Sequence, residues 1–116
     1  GYGHPVFIAT DPEIAFFKRQ GGWKKIRFPL SALGRAAAED EDGLMNLYCD
    51  DRGIITGVEI VSPHASELIG EGVLAVEMGA HMEDLSLISH PHPTYCEMFG
   101  EVADLGLGKP RHIFKG

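Results

Sequence analysis

The stretch LMNLYCDDRGIITGVEIV, residues 44–61, decides the fold of this 116-residue chain. Two apolar segments, residues 44–49 and 53–61, flank the turn-forming tetrad DDRG at residues 50–53, whose glycine suits a positive φ. This pattern predicts a β-hairpin. In the second segment both alternating sets of side chains are largely apolar, which predicts a central strand covered on both faces of the sheet.

Two further strands are predicted before the hairpin. Residues 4–9, HPVFIA, read as a strand that leads into the turn TDPE. Residues 23–30, WKKIRFPL, read as another strand, ended by Pro29. The small and acidic residues 31–43 are predicted to form a solvated loop, in which the alanines could make one helical turn.

Helices are predicted after the hairpin. Ser62 as N-cap and Pro63 at the first helical position would begin a helix that ends at Gly79. Inside this helix Gly70 and Gly72 would each cost roughly 1 kcal/mol relative to alanine. Glycines at that cost indicate close approach of another backbone at both positions.

A short helix over residues 82–88 and a last helix over residues 94–105 follow. Strands come first along the chain and helices come second. This order predicts an α+β fold, with an antiparallel β-sheet packed with helices. No repeat or internal boundary appears, so residues 1–116 are predicted to form one domain.

The composition argues against several classes of function. Seventeen acidic residues against ten basic ones give a net charge of −7, and the basic cluster of Lys24, Lys25 and Arg27 is small. A nucleic-acid partner is therefore not predicted. A membrane span is not predicted either, since no apolar run approaches the roughly 18 residues that it needs. Cys49 and Cys96 are far apart in sequence and are predicted to be free thiols in a reducing compartment.

The stretch HPHPTYCE, residues 90–97, is the part of the chain that could carry chemistry. His90 and His92 could be two ligands of a metal ion, although catalytic zinc needs three protein ligands. Thr94 and Glu97 fit a capping box at a helix start. A third reading pairs His92 with Glu97 as an acid–base couple. The residues alone leave all three readings open, and the chain has no glycine-rich dinucleotide motif and no CxxC pair.

HPHPTYCE resembles the His-x-His-Pro-Thr-x-x-Glu signature of dihydrolipoamide dehydrogenases, FAD-dependent enzymes of the pyridine nucleotide–disulfide oxidoreductase family. VFIATDPEIAF resembles the segment that opens the C-terminal interface domain of that family, and the rest of the chain follows that domain in order and spacing. The resemblance implies a dimerisation domain without the preceding FAD and NAD domains. In the family a helix follows DPEIA, and the shortness of FFKRQGGWKKIRFPL predicts that this helix is reduced or lost here.

The resemblance also implies roles for individual residues. His92 would be the acid–base residue that reaches the flavin and redox disulfide of the partner subunit, and Glu97 would orient it. His90 and Pro93 would lie near that flavin site, with a cis bond before Pro93. The resemblance assigns no metal ligand. Tyr95 and Phe99 are candidates for the dimer interface.

The resemblance implies an intact enzyme that oxidises protein-bound dihydrolipoamide with NAD+. That enzyme would hold FAD and NAD, form a homodimer through this domain, and meet the lipoyl domain of a 2-oxoacid dehydrogenase complex. The isolated chain is expected to bind neither cofactor and to be inactive. The expected compartment is the cytoplasm, or the mitochondrial matrix in a eukaryote. The alternatives are a dimerisation or interaction module without catalysis, and the same domain from a related disulfide reductase.

Overall fold

A computed structural model describes residues 5–19, 24–36, 43–91 and 94–108. Five antiparallel strands form one sheet in the order β1-β2-β5-β4-β3. The strands are β1 Val6–Ile8, β2 Glu13–Lys18, β3 Lys24–Pro29, β4 Leu44–Cys49 and β5 Ile55–Ser62. The helices are a 3₁₀ helix Leu30–Ala36 and three α-helices, α1 Ala65–Glu77, α2 Met82–Leu87 and α3 Glu97–Gly106. The predicted α+β fold, with strands before helices, is confirmed.

The β4–β5 hairpin forms as predicted. The Asp50 carboxylate accepts hydrogen bonds of 2.9 Å from the amides of both Arg52 and Ile54, which closes the turn. Gly53 has a φ of +86°, a conformation that favours glycine. The local sequence was sufficient here because the turn and both strands lie within one short stretch.

Strand β2 was not predicted. Ala15 and Phe17 are buried while Phe16 and Lys18 are exposed, so the segment has the period-two pattern of a strand. It pairs with β1 on one side and with β5, far away in sequence, on the other. The sequence interpretation expected a turn here, followed by a helix that is reduced or lost, because six residues without their partners carry a weak strand signal.

The three α-helices lie on one face of the sheet. Ile26, Leu47 and Val58 are aligned across β3, β4 and β5, so their side chains point to the same face. An added Cβ at Gly72 of α1 would meet Val58, and one at Gly106 of α3 would meet Ile26. Strand β5 is central in the sheet, as predicted. Among the described residues, however, the α-helices cover only one of its faces, so the expected cover on both faces is wrong.

The opposite face of the sheet carries a polar network instead. Asn46 accepts a 3.0 Å hydrogen bond from Arg27 Nε and donates one of 3.0 Å to Glu59 Oε1. The same oxygen accepts a 2.7 Å bond from the Tyr48 hydroxyl, and Lys18 Nζ lies 4.1 Å from the centre of the Tyr48 ring. Strands β2 to β5 are thus linked by side chains as well as by backbone hydrogen bonds.

The loop expected at residues 31–43 begins as a 3₁₀ helix. Leu30 and Leu33 of this 3₁₀ helix are fully buried, so both side chains belong to the core. Residues 37–42 lie outside the described part of the chain. Within the predicted loop, Leu33 stands among small and acidic residues, and its burial depends on the neighbouring β3 and α3.

Helix α1 begins later than predicted. Ser62 is the last residue of β5, where it pairs with Glu13, and its hydroxyl donates to the Pro63 carbonyl at 3.0 Å. The N-cap is His64, with a φ of +63°. Ser62 as N-cap is therefore wrong, because strand pairing takes that residue first. Gly79, also at a φ of +63°, follows the end of the helix as expected.

The hydrophobic core lies between the sheet and the helices. Cys49 is buried in it and Cys96 is half-buried, and both are free thiols as predicted. Phe99 is fully buried, so its assignment to the dimer interface is wrong. Pro93 lies outside the described residues, and the cis bond seen among the described residues precedes Pro12. In the described ranges, no helix has the length and apolar character to cross a membrane.

Candidate functional site

His90 is held between two helices. Its Nε2 lies 2.6 Å from Glu71 Oε2 of α1, and its ring stacks on Phe99 of α3 with the ring centres 6.3 Å apart. Its Nδ1 would lie 3.4 Å from a Cβ added at Gly100. Only 7 % of the His90 side chain is exposed. This histidine joins α1 to α3 and has little surface left for other contacts.

Thr94 and Glu97 form half of the predicted capping box. The Thr94 amide donates a 2.8 Å hydrogen bond to Glu97 Oε2. The Thr94 hydroxyl turns away from the helix, donating to the Pro91 carbonyl at 2.6 Å and lying 2.8 Å from Cys96 Sγ. Helix α3 therefore begins at Glu97, with Cys96 as its N-cap, and not at Thr94.

His92 and Pro93, the central residues of the sequence prediction, lie outside the described residues. Both neighbouring segments are described, and both are anchored. On the preceding side His90 is bound to Glu71; on the following side Thr94 is bound to Glu97 and to the carbonyl of Pro91. The structure thus shows how the ends of this short segment are held.

A polar cavity of about 190 Å³ adjoins this segment between α2 and α3. Its walls include three acidic residues of one face of α3, Glu97, Glu101 and Asp104, which are only 5, 6 and 5 % exposed. Ser86 of α2 donates a hydrogen bond to Asp104. Spacings of four and three residues could have revealed this acidic face in the sequence, but only Glu97 was singled out.

An apolar groove of about 260 Å³ lies on the other side of Glu71, between α1 and α2. Leu74 and Met78 of α1 line it and are 62 and 74 % exposed. Glu71 itself lines the groove, while its carboxylate reaches His90, which lines the polar cavity. The Glu71–His90 pair therefore separates the two cavities.

No group of three or more potential metal ligands is found among residues 5–19, 24–36, 43–91 and 94–108. His92 is not among those residues, so the described residues do not test the alternative in which His90 and His92 both bind a metal ion. His90, the other member of that pair, binds a carboxylate.

Comparison with known proteins identifies the domain. The family model for the dimerisation domain of pyridine nucleotide-disulphide oxidoreductases matches residues 4–103. The chain belongs to this family. Its sheet and helices are those of a dimerisation domain in these oxidoreductases, so the recognition from sequence is confirmed.

Curated relatives share its sequence over nearly the whole chain. A dihydrolipoyl dehydrogenase of Geobacillus stearothermophilus is 40 % identical over 119 residues, which cover 94 % of this chain and 25 % of the relative. One of Bacillus subtilis is 34 % identical over 123 residues, covering 97 % of this chain and 26 % of the relative. The chain thus spans about a quarter of the length of these relatives.

Solved structures share its fold. LpdA from Mycobacterium tuberculosis superimposes with a TM-score of 0.81 at 24 % identity, over 88 % of this chain and 24 % of that one. RclA from Escherichia coli, described as an HOCl-induced flavoprotein disulfide reductase, gives a TM-score of 0.78 at 16 % identity, over 88 % of this chain and 26 % of that one. At these identities the likeness supports the fold alone.

Proposed function

We propose that this domain works as the dimerisation domain of a dihydrolipoyl dehydrogenase and supplies His92 and Glu97 to a site on the partner subunit. The observation that carries the proposal is the 40 % identity to a dihydrolipoyl dehydrogenase over 94 % of the chain. The string HPHPTYCE lies within the matched family domain, and the residues flanking His92 are anchored.

The proposed chemistry is a proton transfer from a thiol. The thiolate, not the thiol, is the nucleophile in disulfide exchange, and imidazole is a base of suitable strength near neutral pH. His92 takes a proton from one thiol of dihydrolipoamide, and the resulting thiolate attacks a disulfide carried by the rest of a longer polypeptide. The Glu97 carboxylate, buried at the start of α3, stabilises the imidazolium that forms.

The cofactors belong to other parts of such a polypeptide. The two cavities of about 190 and 260 Å³ are smaller than the roughly 300–1,000 Å³ of ordinary ligand sites, so neither fits a dinucleotide. FAD, bound elsewhere, would accept the electrons and pass them to NAD+. We propose that residues 1–116, as one domain, contribute the base and the dimer contact and bind neither cofactor alone.

The partners follow from the same proposal. A homodimer would bring His92 of one subunit to the flavin site of the other, and the substrate would be the lipoyl group of a 2-oxoacid dehydrogenase complex. His90 and Pro93 would lie at the edge of that site, with His90 acting through its packing. A cytoplasmic or mitochondrial-matrix location stays a prediction.

The test is His92→Gln in the intact flavoenzyme that carries this domain. We expect turnover with dihydrolipoamide to fall by roughly 10²–10⁴-fold, the usual contribution of a general base, while FAD stays bound. His64→Asn is the matched control, because that exposed histidine has a φ of +63°, which asparagine tolerates. Near-normal turnover in His92→Gln would contradict the proposed role.

A further inference from the structure

We propose that Glu71 is a positioning residue, which acts through its hydrogen bond with His90 to hold the chain immediately before His92. This inference rests on the proposed function, because it concerns the placement of the proposed base. Helix α1 would then help to set the position of His92, which lies 21 residues after Glu71 in the chain.

The first step is the strength of the pair. The distance of 2.6 Å between His90 Nε2 and Glu71 Oε2 is short for a nitrogen–oxygen hydrogen bond. The side chains are 7 and 28 % exposed, so water competes little for either partner. Hydrogen bonds that involve an ionised group in such surroundings are among the stronger ones in proteins.

The second step is the confinement of the His90 ring. Phe99 stacks on the His90 ring with an interplanar angle of 18° and the ring centres 6.3 Å apart. The Glu71 carboxylate at Nε2 and the Phe99 ring together restrain the His90 ring. A change at Glu71 would therefore leave His90 with only its contact to α3, and its ring would be less restrained.

The third step is the rigidity of Glu71. Its neighbour Gly72 packs directly on Val58 of the central strand β5, so the backbone at Glu71 is tied to the sheet. Functional groups are placed most precisely when their supports lie on such elements. Glu71 thus holds His90 in place relative to the sheet. The restricted φ of Pro91 limits the freedom of the chain that follows His90.

The fourth step is the closure of the segment at its other end. The Thr94 hydroxyl bonds to the Pro91 carbonyl at 2.6 Å, and the Thr94 amide bonds to Glu97 at 2.8 Å. Residues 91 and 94 are thus joined to each other and to α3. On the side that precedes His92, the contact of His90 with Glu71 joins the segment to α1.

The decisive variant is Glu71→Gln in the intact flavoenzyme, with Glu77→Gln as its control. Glu77 is an exposed acid of the same helix, so both changes remove one charge from α1. We expect reduction of the flavin by dihydrolipoamide to slow by roughly 10- to 100-fold in Glu71→Gln, since small misplacements of a catalytic group have effects of this size. Reduction of the flavin by NADH, which needs no thiol base, should stay unchanged.

A double variant distinguishes positioning from general damage. If Glu71 acts through His90, then His90→Gln alone and the Glu71→Gln/His90→Gln pair should slow the dithiol reaction to a similar extent. The inference would be overturned if the fold-changes of the two single variants multiplied in the double variant. Equal slowing of flavin reduction by dihydrolipoamide and by NADH would also overturn it.

A measurement on the 116-residue chain is independent of catalysis. In nuclear magnetic resonance spectra, Glu71→Gln should shift the amide signals of residues 89, 90, 94 and 95, and Glu77→Gln should leave them in place. Unchanged signals in Glu71→Gln would overturn the inference whatever the enzyme does. Full activity of His92→Gln would instead defeat the proposed function, while shifted signals would still support the contact between Glu71 and the segment.

Discussion

Gly70 and Gly72 show at the scale of single residues that the same residue type can have different surroundings within one helix. A Cβ at Gly72 would overlap Val58, a buried and β-branched residue that cannot move aside easily. The predicted approach of another backbone is wrong at both glycines: at Gly72 the close neighbour is the Val58 side chain, and at Gly70 nothing lies within 4 Å of an added Cβ. Glycine has the same unfavourable helix propensity at both positions, so the sequence could not show which of them is closely packed.

These glycines give a matched pair of stability variants. We expect Gly72→Ala to lower the free energy of unfolding by about 1–3 kcal/mol, because overpacking a core strains it. Gly70→Ala should raise the free energy of unfolding by about 0.5–1 kcal/mol, because alanine favours the helix and meets open space. Urea unfolding followed by circular dichroism measures both. Equal signs for the two changes would contradict the packing described here.

Helix α2 shows at the scale of an element how a short helix is held in place. His81 Nδ1 accepts a 3.0 Å hydrogen bond from the Glu83 amide, and Asp84 Oδ2 accepts one of 2.8 Å from the His81 amide. This reciprocal capping supports a helix of six residues, which is too short to be stable alone. The same backbone segment also bridges to Ile54, so the cap ties α2 to the hairpin.

Removing this cap should weaken the domain. We expect His81→Ala to lower the free energy of unfolding by about 1 kcal/mol, the usual cost of losing an N-cap acceptor. His81→Asn keeps an acceptor at the N-cap and should retain most of the stability. The comparison requires urea unfolding of both variants at neutral pH; identical losses would show that the ring contact with Gly53, and not the cap, is what matters.

The starts of α1 and α3 show why helix boundaries were misplaced. Ser62 and Thr94 both have the residue type of an N-cap, yet Ser62 pairs in β5 and Thr94 turns its hydroxyl to Pro91. The helices begin at Ala65 and Glu97 instead. A residue can cap a helix only when it is not already engaged in a strand or a turn. Whether it is engaged depends on the tertiary structure, which the local sequence does not show.

At the scale of the whole molecule, titratable groups on the sheet relate stability to pH. Burial, a hydrogen bond to Glu59 and the Glu59 charge raise the pKa of Tyr48 to about 12 from its usual 10.0. Burial opposes ionisation of Glu59, but hydrogen bonds from Tyr48 and Asn46 and nearby lysines outweigh it and hold its pKa below 4.5. Hydrogen bonds from the Ile54 amide lead the causes that lower the pKa of Asp50 in the hairpin turn.

Stability should therefore be greatest at intermediate pH. A lowered carboxyl pKa adds stability above about pH 4.5, and this is lost as pH falls through the folded pKa. A raised tyrosine pKa gives stability that is complete below pH 10 and is lost as pH rises through about 12. We expect Tyr48→Phe to flatten the fall between pH 10 and 12, measured as the free energy of unfolding in urea. An unchanged fall would show that other groups cause it.

Contacts within one stretch of chain were predictable from sequence. The hairpin at residues 44–61, the strands before helices and the bond between Glu97 and the Thr94 amide each depend on residues close in the chain. The family resemblance rests on a string of eight residues and on the order of the elements around it, which are also features of the sequence.

What the tertiary structure alone decided are the contacts between distant residues. Strand β2 is held by β5, whose paired residues lie 39 to 49 positions further along the chain. The pair of Glu71 with His90 joins residues nineteen apart. Neither has a local signature, because a six-residue strand or a lone glutamate reads the same in many settings. The sequence by itself determined the family and singled out His90, His92 and Glu97; the packing of α1 on the sheet decided that His90 meets Glu71.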